Sequence, residues 1–203
     1  MREYIRFSKN KLAHELIGVV VDILDYALVT LFCIVLLCIY VFRFASVQGD
    51  SMLPTLENSD QLLVNALDRD PECGDIIIIN TASAGHLDAE TGETYLSEGL
   101  HKVIVKRVIA TAGQKLDMDF SRGIVYLNDS PLDEPYINSV TTAPAVNAAF
   151  EYPIVIPEGF VFVMGDNRSV SMDSRYGDVG LVPLDEIEGH VIFRIKPDVK
   201  SLY

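Results

Sequence analysis

Two residue types able to split an acyl bond sit about 55 residues apart: Ser51 within GDSMLPTL and Lys106 within VIVKRVI. A serine hydroxyl becomes a nucleophile only when a base takes its proton. His14, His86, His101 and His190 are scattered without site-like surroundings, so lysine is the candidate base. A lysine works as a base only when neutral. Holding it neutral near pH 7 needs a fall of about 3 units from its free value, roughly 4 kcal/mol of differential interaction, and burial supplies a shift in that direction. Lys106 has such a setting, with Val103, Ile104, Val105, Val108 and Ile109 around it. In a strand Ile104, Lys106 and Val108 share one face. Lys102 has the same parity but stands at the polar start of the run. The plain alternatives are a solvated loop serine and an edge-strand lysine that blocks pairing.

A third segment, GDNRSVSMDSR from Gly165 to Arg175, comes after an apolar run and packs two Asp, one Asn, two Arg and three Ser together. Its spacing allows Asp166 to pair with an arginine elsewhere and Asp173 with Arg175, which would stiffen a loop beside a site. Ser171 can then exchange a hydrogen bond with the lysine amine, and Arg107, next to Lys106, joins the supporting set. Gly49 permits close backbone approach to a ligand, and Pro54 stiffens the chain beyond Leu53. Met52, Leu53 and Leu56 read as an apolar patch beside the hydroxyl, and Met52, Leu53 and Val105 are the candidate substrate contacts. A calcium loop is the rival reading of the third segment, but its acidic spacing does not match and no Glu closes it. Ser51 lacks the second glycine of a nucleophile elbow. Ser8 and Lys11 match S-x-x-K by chance, in a basic tail. Cys73 has no Cys or His at metal-ligand spacing, so no metal site is predicted.

These residues must be held by the elements around them. No charge interrupts Tyr26 to Phe42, a run long enough to cross a bilayer core. The predicted organisation is a basic tail and helix start over 1–25, an anchor over 26–42 and one exported domain over 43–203. A cleavable signal peptide is the rival, but this apolar run is longer than such a segment requires. Arg2, Arg6, Lys9 and Lys11 precede the span, which predicts a cytoplasmic amino terminus and an extracytoplasmic domain. Asp22 and Asp25 are expected in the headgroup region. The formal net charge of -13 argues against a nucleic acid partner. Beyond the anchor, short Val- and Ile-rich runs broken by Gly, Pro, Asn and Asp predict strands over 61–66, 75–80, 103–111, 123–127, 159–164 and 189–195. The segments 81–99 and 138–152 read as loops. The expected fold class is mainly β, with antiparallel pairing.

Taken together, the chain resembles the type I signal peptidases, the bacterial leader peptidases of serine-lysine type. The resemblance rests on the amino-terminal anchor, SMLPTL at Ser51, GDIIIIN at Gly74, VKRVIATAG at Val105, VYLNDSPLDEPYI at Val125 and GDNRSVSMDSR at Gly165. It implies Ser51 as nucleophile, Lys106 as general base, Ser171 orienting the lysine, and Asp173 with Arg175 in support. It also implies an oxyanion donor in the Ser51 amide and a small cap around 117–157. The implied reaction is removal of signal peptides from exported preproteins at the lipid bilayer after a small residue, with no metal or cofactor. Two features depart from the family pattern. Gly49 stands where some members carry a serine hydroxyl for the oxyanion, and Ala110, Thr111, Ala112 and Gly113 replace a proline-containing turn, which predicts a looser one. A self-cleaving serine-lysine protein and a non-catalytic assembly factor of the same fold are the alternatives.

Overall fold

The computed structural model describes residues 2–88, 90–144 and 146–202. The chain divides into two compact units at Val41. The first is a single helix, α1 (Arg2–Val41), which contains no proline. Its part His14–Val41 has a mean hydropathy of 2.4. Leu24, Leu28, Leu31 and Leu37 are all exposed. A helix that is apolar on every side is suited to lipid, and these 28 residues extend about 42 Å, more than a bilayer core requires. The helix begins well before the charge-free run and stops at Val41, because Phe42 opens the first strand.

The second unit consists of strands β1 (Phe42–Ser46), β2 (Gln61–Asn65), β3 (Ile76–Asn80), β4 (Ser83–Leu87), β5 (Thr94–Glu98), β6 (Val103–Ala110) and β7 (Lys115–Asp119). Next come β8 (Ile124–Leu127), β9 (Ser130–Pro131), β10 (Ile154–Val155), β11 (Phe160–Met164), β12 (Val182–Pro183), β13 (Ile187–Lys196) and β14 (Lys200–Ser201). The main sheet runs β1-β2-β13-β3-β6-β11-β12, with β14 against β13, and a smaller sheet runs β10-β7-β8-β9. The ladders are antiparallel, in keeping with the expected mainly β class.

The core explains the register. Strand β3 is a run of isoleucines buried on both faces, as suits a central strand. Ile76 and Ile78 pack with Met52, Leu56 and Leu62, while Ile77 and Ile79 pack with Val108 and Val163. Each such side chain contributes about 1.5–3 kcal/mol on burial, so the segment that carries Ser51 is pinned through Met52 and Leu56. This corrects one expectation. Met52 and Leu56 are 1% and 0% exposed, so they form core and not a surface patch.

The segment 81–99 is not a loop. It forms the hairpin β4–β5, although Ser83, Ala84 and Gly85 are weak strand formers. Its order comes from outside the hairpin. Gly85 and Leu181 exchange two backbone hydrogen bonds of 2.8 Å, and the Glu186 carboxylate accepts from the Ser83 and Ala82 amides. At the turn, Asp88 Oδ1 accepts from the amides of Glu90 and Thr91. Strand β7 is likewise an addition to the strands expected from sequence, because only Leu116 and Met118 of its five residues are apolar.

Candidate active site

Ser51 leaves the core through a turn whose backbone is fixed on both sides. Gly49 has φ +86°, which a residue with a Cβ adopts only under strain, and its amide donates to Asn58 Oδ1 at 3.0 Å. On the other side the Asn167 amide donates to the Ser51 carbonyl, and Asn167 Nδ2 donates to the Asp50 carbonyl, both at 3.0 Å. The GDNR loop is thereby tied to the turn that carries the serine.

Lys106 lies on β6 opposite Ile77 of β3 and is 3% exposed. Its Nζ is 2.9 Å from Ser51 Oγ and donates to the Val105 carbonyl at 3.0 Å. Burial holds the amine well below its ordinary value, at about 8, against the opposing pull of Asp173 and Asp166. Lys102 is exposed at the start of the run. Among the described residues no histidine bonds to Ser51: His86 meets Ser97, His101 meets Glu98, and His190 lies by Asp68 and Asp75.

The depressed amine has a cost in stability. An unfolded lysine binds its proton up to about 10.5, so the penalty is absent above that pH and fully present below about 8. The shift corresponds to about 3 kcal/mol. Lys106→Met, of similar length and without charge, is therefore expected to raise unfolding stability by about 3 kcal/mol at pH 7, and the gain should shrink as pH rises from 8 to 10. Thermal unfolding of both proteins in detergent across that range checks it; a gain independent of pH would contradict a depressed amine.

The expected ion pairs have definite partners. Arg107 forks onto Asp166, with Nε and one terminal nitrogen 2.8 and 2.7 Å from its two oxygens. Thr55 Oγ1 donates to the same carboxylate at 2.5 Å. Asp173 accepts from Arg175 at 2.8 and 2.9 Å and from the Gly165 amide at 3.1 Å. Thr55 and Asn167 are site residues that sequence reasoning misses; Asn167 carries a signal, being inside the GDNR run.

Two of the expected site residues are placed differently from the others. Ser171 Oγ makes no hydrogen bond to Lys106: it is buried beside Gly165 and has no hydrogen-bond partner among the described residues. A Cβ placed on Gly165 would lie 2.3 Å from that hydroxyl and 2.4 Å from the Ser51 carbonyl, so only glycine fits there. Leu53 does not line the cleft beside Ser51. That cleft, of about 370 Å³, is bounded by Ser51, Lys106, Met52, Val64, Ile78, Val105 and the β1 segment around Ala45.

The chain as a whole is similar in sequence to known proteins. The family described as "Signal peptidase, peptidase S26" matches residues 20–196. The chain belongs to this family. It is 35% identical over 84% of its length to a probable signal peptidase I-1 of Synechocystis sp. (strain ATCC 27184 / PCC 6803 / Kazusa), covering 79% of that protein. It is 33% identical over 87% of its length to signal peptidase I S of Bacillus subtilis (strain 168), covering 90% of that protein. A solved signal peptidase I from Enterococcus faecalis V583 aligns at 26% identity over 60% of this chain and 96% of that one, with a TM-score of 0.39, and membership rests on the sequence matches alone. Membership of a signal peptidase family makes the chain a peptidase. In the proline-free turn after β6, the Gln114 side chain accepts from the Thr111 amide at 2.8 Å.

Proposed function

We propose that the protein is a membrane-bound endopeptidase that removes amino-terminal signal peptides from exported preproteins by a serine-lysine mechanism. The observation that carries this reading is the 2.9 Å contact between a buried amine and the Ser51 hydroxyl. A neutral Lys106 accepts the Ser51 proton as Oγ bonds to the scissile carbonyl carbon. The Ser51 amide, which has no acceptor among the described residues, offers its hydrogen to the developing oxyanion. Breaking the C–N bond passes the lysine proton to the leaving amine and leaves an ester on Ser51. Water then gives its proton to Lys106 and attacks that ester, and Ser51 leaves with the proton.

The register of β6 supports an extended substrate. β3 covers Val103 to Arg107 on one edge, while β11 pairs only from Arg107 onward, so the other edge of Val103 to Lys106 is unpaired among the described residues. A substrate strand added there runs past Ser51, and the cleft lined by Ala45, Val64, Ile78 and Val105 takes small apolar side chains. Met52 bounds that cleft from the core, whereas Leu53 has no part in it. The helix α1 serves as the anchor, with the basic tail in the cytoplasm, the domain from Arg43 outside at the lipid surface, and the small sheet around 117–157 as a cap.

Ser171 keeps a role in this reading. Once Lys106 is protonated it has a further hydrogen to offer, and Ser171 Oγ is a buried acceptor without a partner among the described residues. A hydrogen bond to a charged group is worth about 1.5–3 kcal/mol, so Ser171→Ala is expected to lower kcat by roughly 10- to 100-fold with little change in KM. An unchanged kcat removes Ser171 from the mechanism.

The sign of the pH dependence is set by the base. Lys106 is active when neutral, so kcat/KM should rise with pH and level off above about 8. A profile that is flat between pH 6 and about 10 contradicts a titrating lysine of this kind. The reading as a whole is tested by cleavage of a preprotein in detergent, where Ser51→Ala should leave the signal peptide attached.

A further inference from the structure

The motif VYLNDSPLDEPYI has no place in the mechanism above, yet part of it lies against three arginines of the site. We propose that the irregular segment 132–142 is a positioning strap, in which Glu134 and Tyr136 fix the backbone beside Ser51 and the burial of Lys106 without touching either group. The proposal rests on the serine-lysine reading and adds to it residues that govern its geometry.

The segment holds its place mainly through side chains. Among the described residues its backbone–backbone bonds to the rest of the domain are Leu132 amide to Val125 carbonyl at 2.9 Å and Thr141 amide to Gly123 carbonyl at 3.4 Å. Glu134 receives a fork from Arg168, at 2.5 Å to Oε1 and 3.2 Å to Oε2, with side chains 6% and 0% exposed. Thr141 Oγ1 accepts from the same guanidinium at 2.6 Å. Arg168 Nε then donates to the Gly165 carbonyl at 3.0 Å, and Gly165 is the residue packed against the Ser51 carbonyl and the Ser171 hydroxyl. A charge-assisted fork of this kind fixes orientation as well as distance.

A second line runs through Tyr136. Its ring lies 4.0 Å from the Arg107 guanidinium carbon, on the arginine next to Lys106 that forks onto Asp166. Its hydroxyl donates to Glu134 Oε1 at 3.2 Å, which joins the two lines. The Thr142 carbonyl accepts from Arg175 at 2.9 Å, so the strap reaches the third arginine as well. Loosening it frees Gly165 beside the nucleophile and admits water to the lysine, which raises the amine pKa by relieving its desolvation.

Kinetics of the full-length enzyme in detergent test this, with a peptide spanning a cleavage junction that has alanine at the first and third positions before the cut. Rates are taken per folded molecule, well below each variant's unfolding temperature. Glu134→Gln and Tyr136→Leu should each lower kcat by about 10-fold or more with KM within about 3-fold, and move the acid limb of kcat/KM to higher pH. Tyr136→Phe keeps the ring over Arg107 and should stay within about 3-fold of the parent enzyme. Asp129→Asn, which loses only an exposed pair with Lys115, is the neutral control. If Glu134→Gln does not fold, the two Tyr136 variants decide. Full kcat and an unmoved acid limb in the folded variants, with Ser51→Ala inactive, overturn the strap alone; cleavage surviving in Ser51→Ala overturns both it and the reading beneath it.

Discussion

Lys106→Met should lower kcat/KM by about 10³- to 10⁴-fold while the protein becomes more stable at pH 7, a pairing that separates lost chemistry from lost fold. The amine is buried, 2.9 Å from Ser51 Oγ, and has one other acceptor among the described residues, the Val105 carbonyl. Met fills the same space without a base. Ser51→Ala should lose as much, and the double variant no more than either single one, because the two groups act in one proton transfer. Lys102→Ala should cleave normally, since that side chain is exposed at the start of the run. Steady-state rates and unfolding temperatures for the four proteins decide it. Near-normal turnover in Lys106→Met would remove the base from the account.

Asp166→Asn is the second large effect, and it acts on stability. The carboxylate is 0% exposed and takes the Arg107 fork together with the Thr55 hydroxyl. Removing one partner of a buried pair strands the other charge, at a cost of about 3–5 kcal/mol. In a domain of this size the unfolding temperature should fall by roughly 6–20 °C. Asp166→Asn with Arg107→Met should recover part of that loss, because no uncompensated charge is left. Asp166 also favours the charged form of Lys106, so the acid limb of activity should move to lower pH in the single variant. A melting temperature within a degree or two of the parent would show that the pair is not the tie between β6 and the Gly165 loop that its geometry describes.

The parts of the fold legible in the sequence are those where local pattern and tertiary demand agree. Ile76 to Ile79 and Val103 to Ala110 are β-rich runs that also need burial, so their strands are plain from composition. Strands β4 and β5 are hidden because their order depends on Leu181 and Glu186, about 100 residues away. At the site, the parity of Ile104, Lys106 and Val108 is enough to predict a sheltered lysine. The partner of Asp166 is not derivable from spacing, since Arg107 lies 59 positions away and faces it only through the β6–β11 register. Leu56 shows the converse failure: an apolar residue near a reactive hydroxyl reads as part of a surface patch until the core that absorbs it is known. Ser171 falls in the expected loop, but its hydroxyl lies beside Gly165 without a bond to Lys106, a packing detail no spacing conveys.

The most direct measurement is the titration of the Lys106 side chain itself, by NMR of protein labelled at the lysine side chains, with Lys106→Met to assign the signal. The account predicts a midpoint of about 8 in the parent enzyme. A midpoint near the free-lysine value of about 10.4 would mean an amine charged throughout the working range, unable to take the Ser51 proton, and would contradict the account.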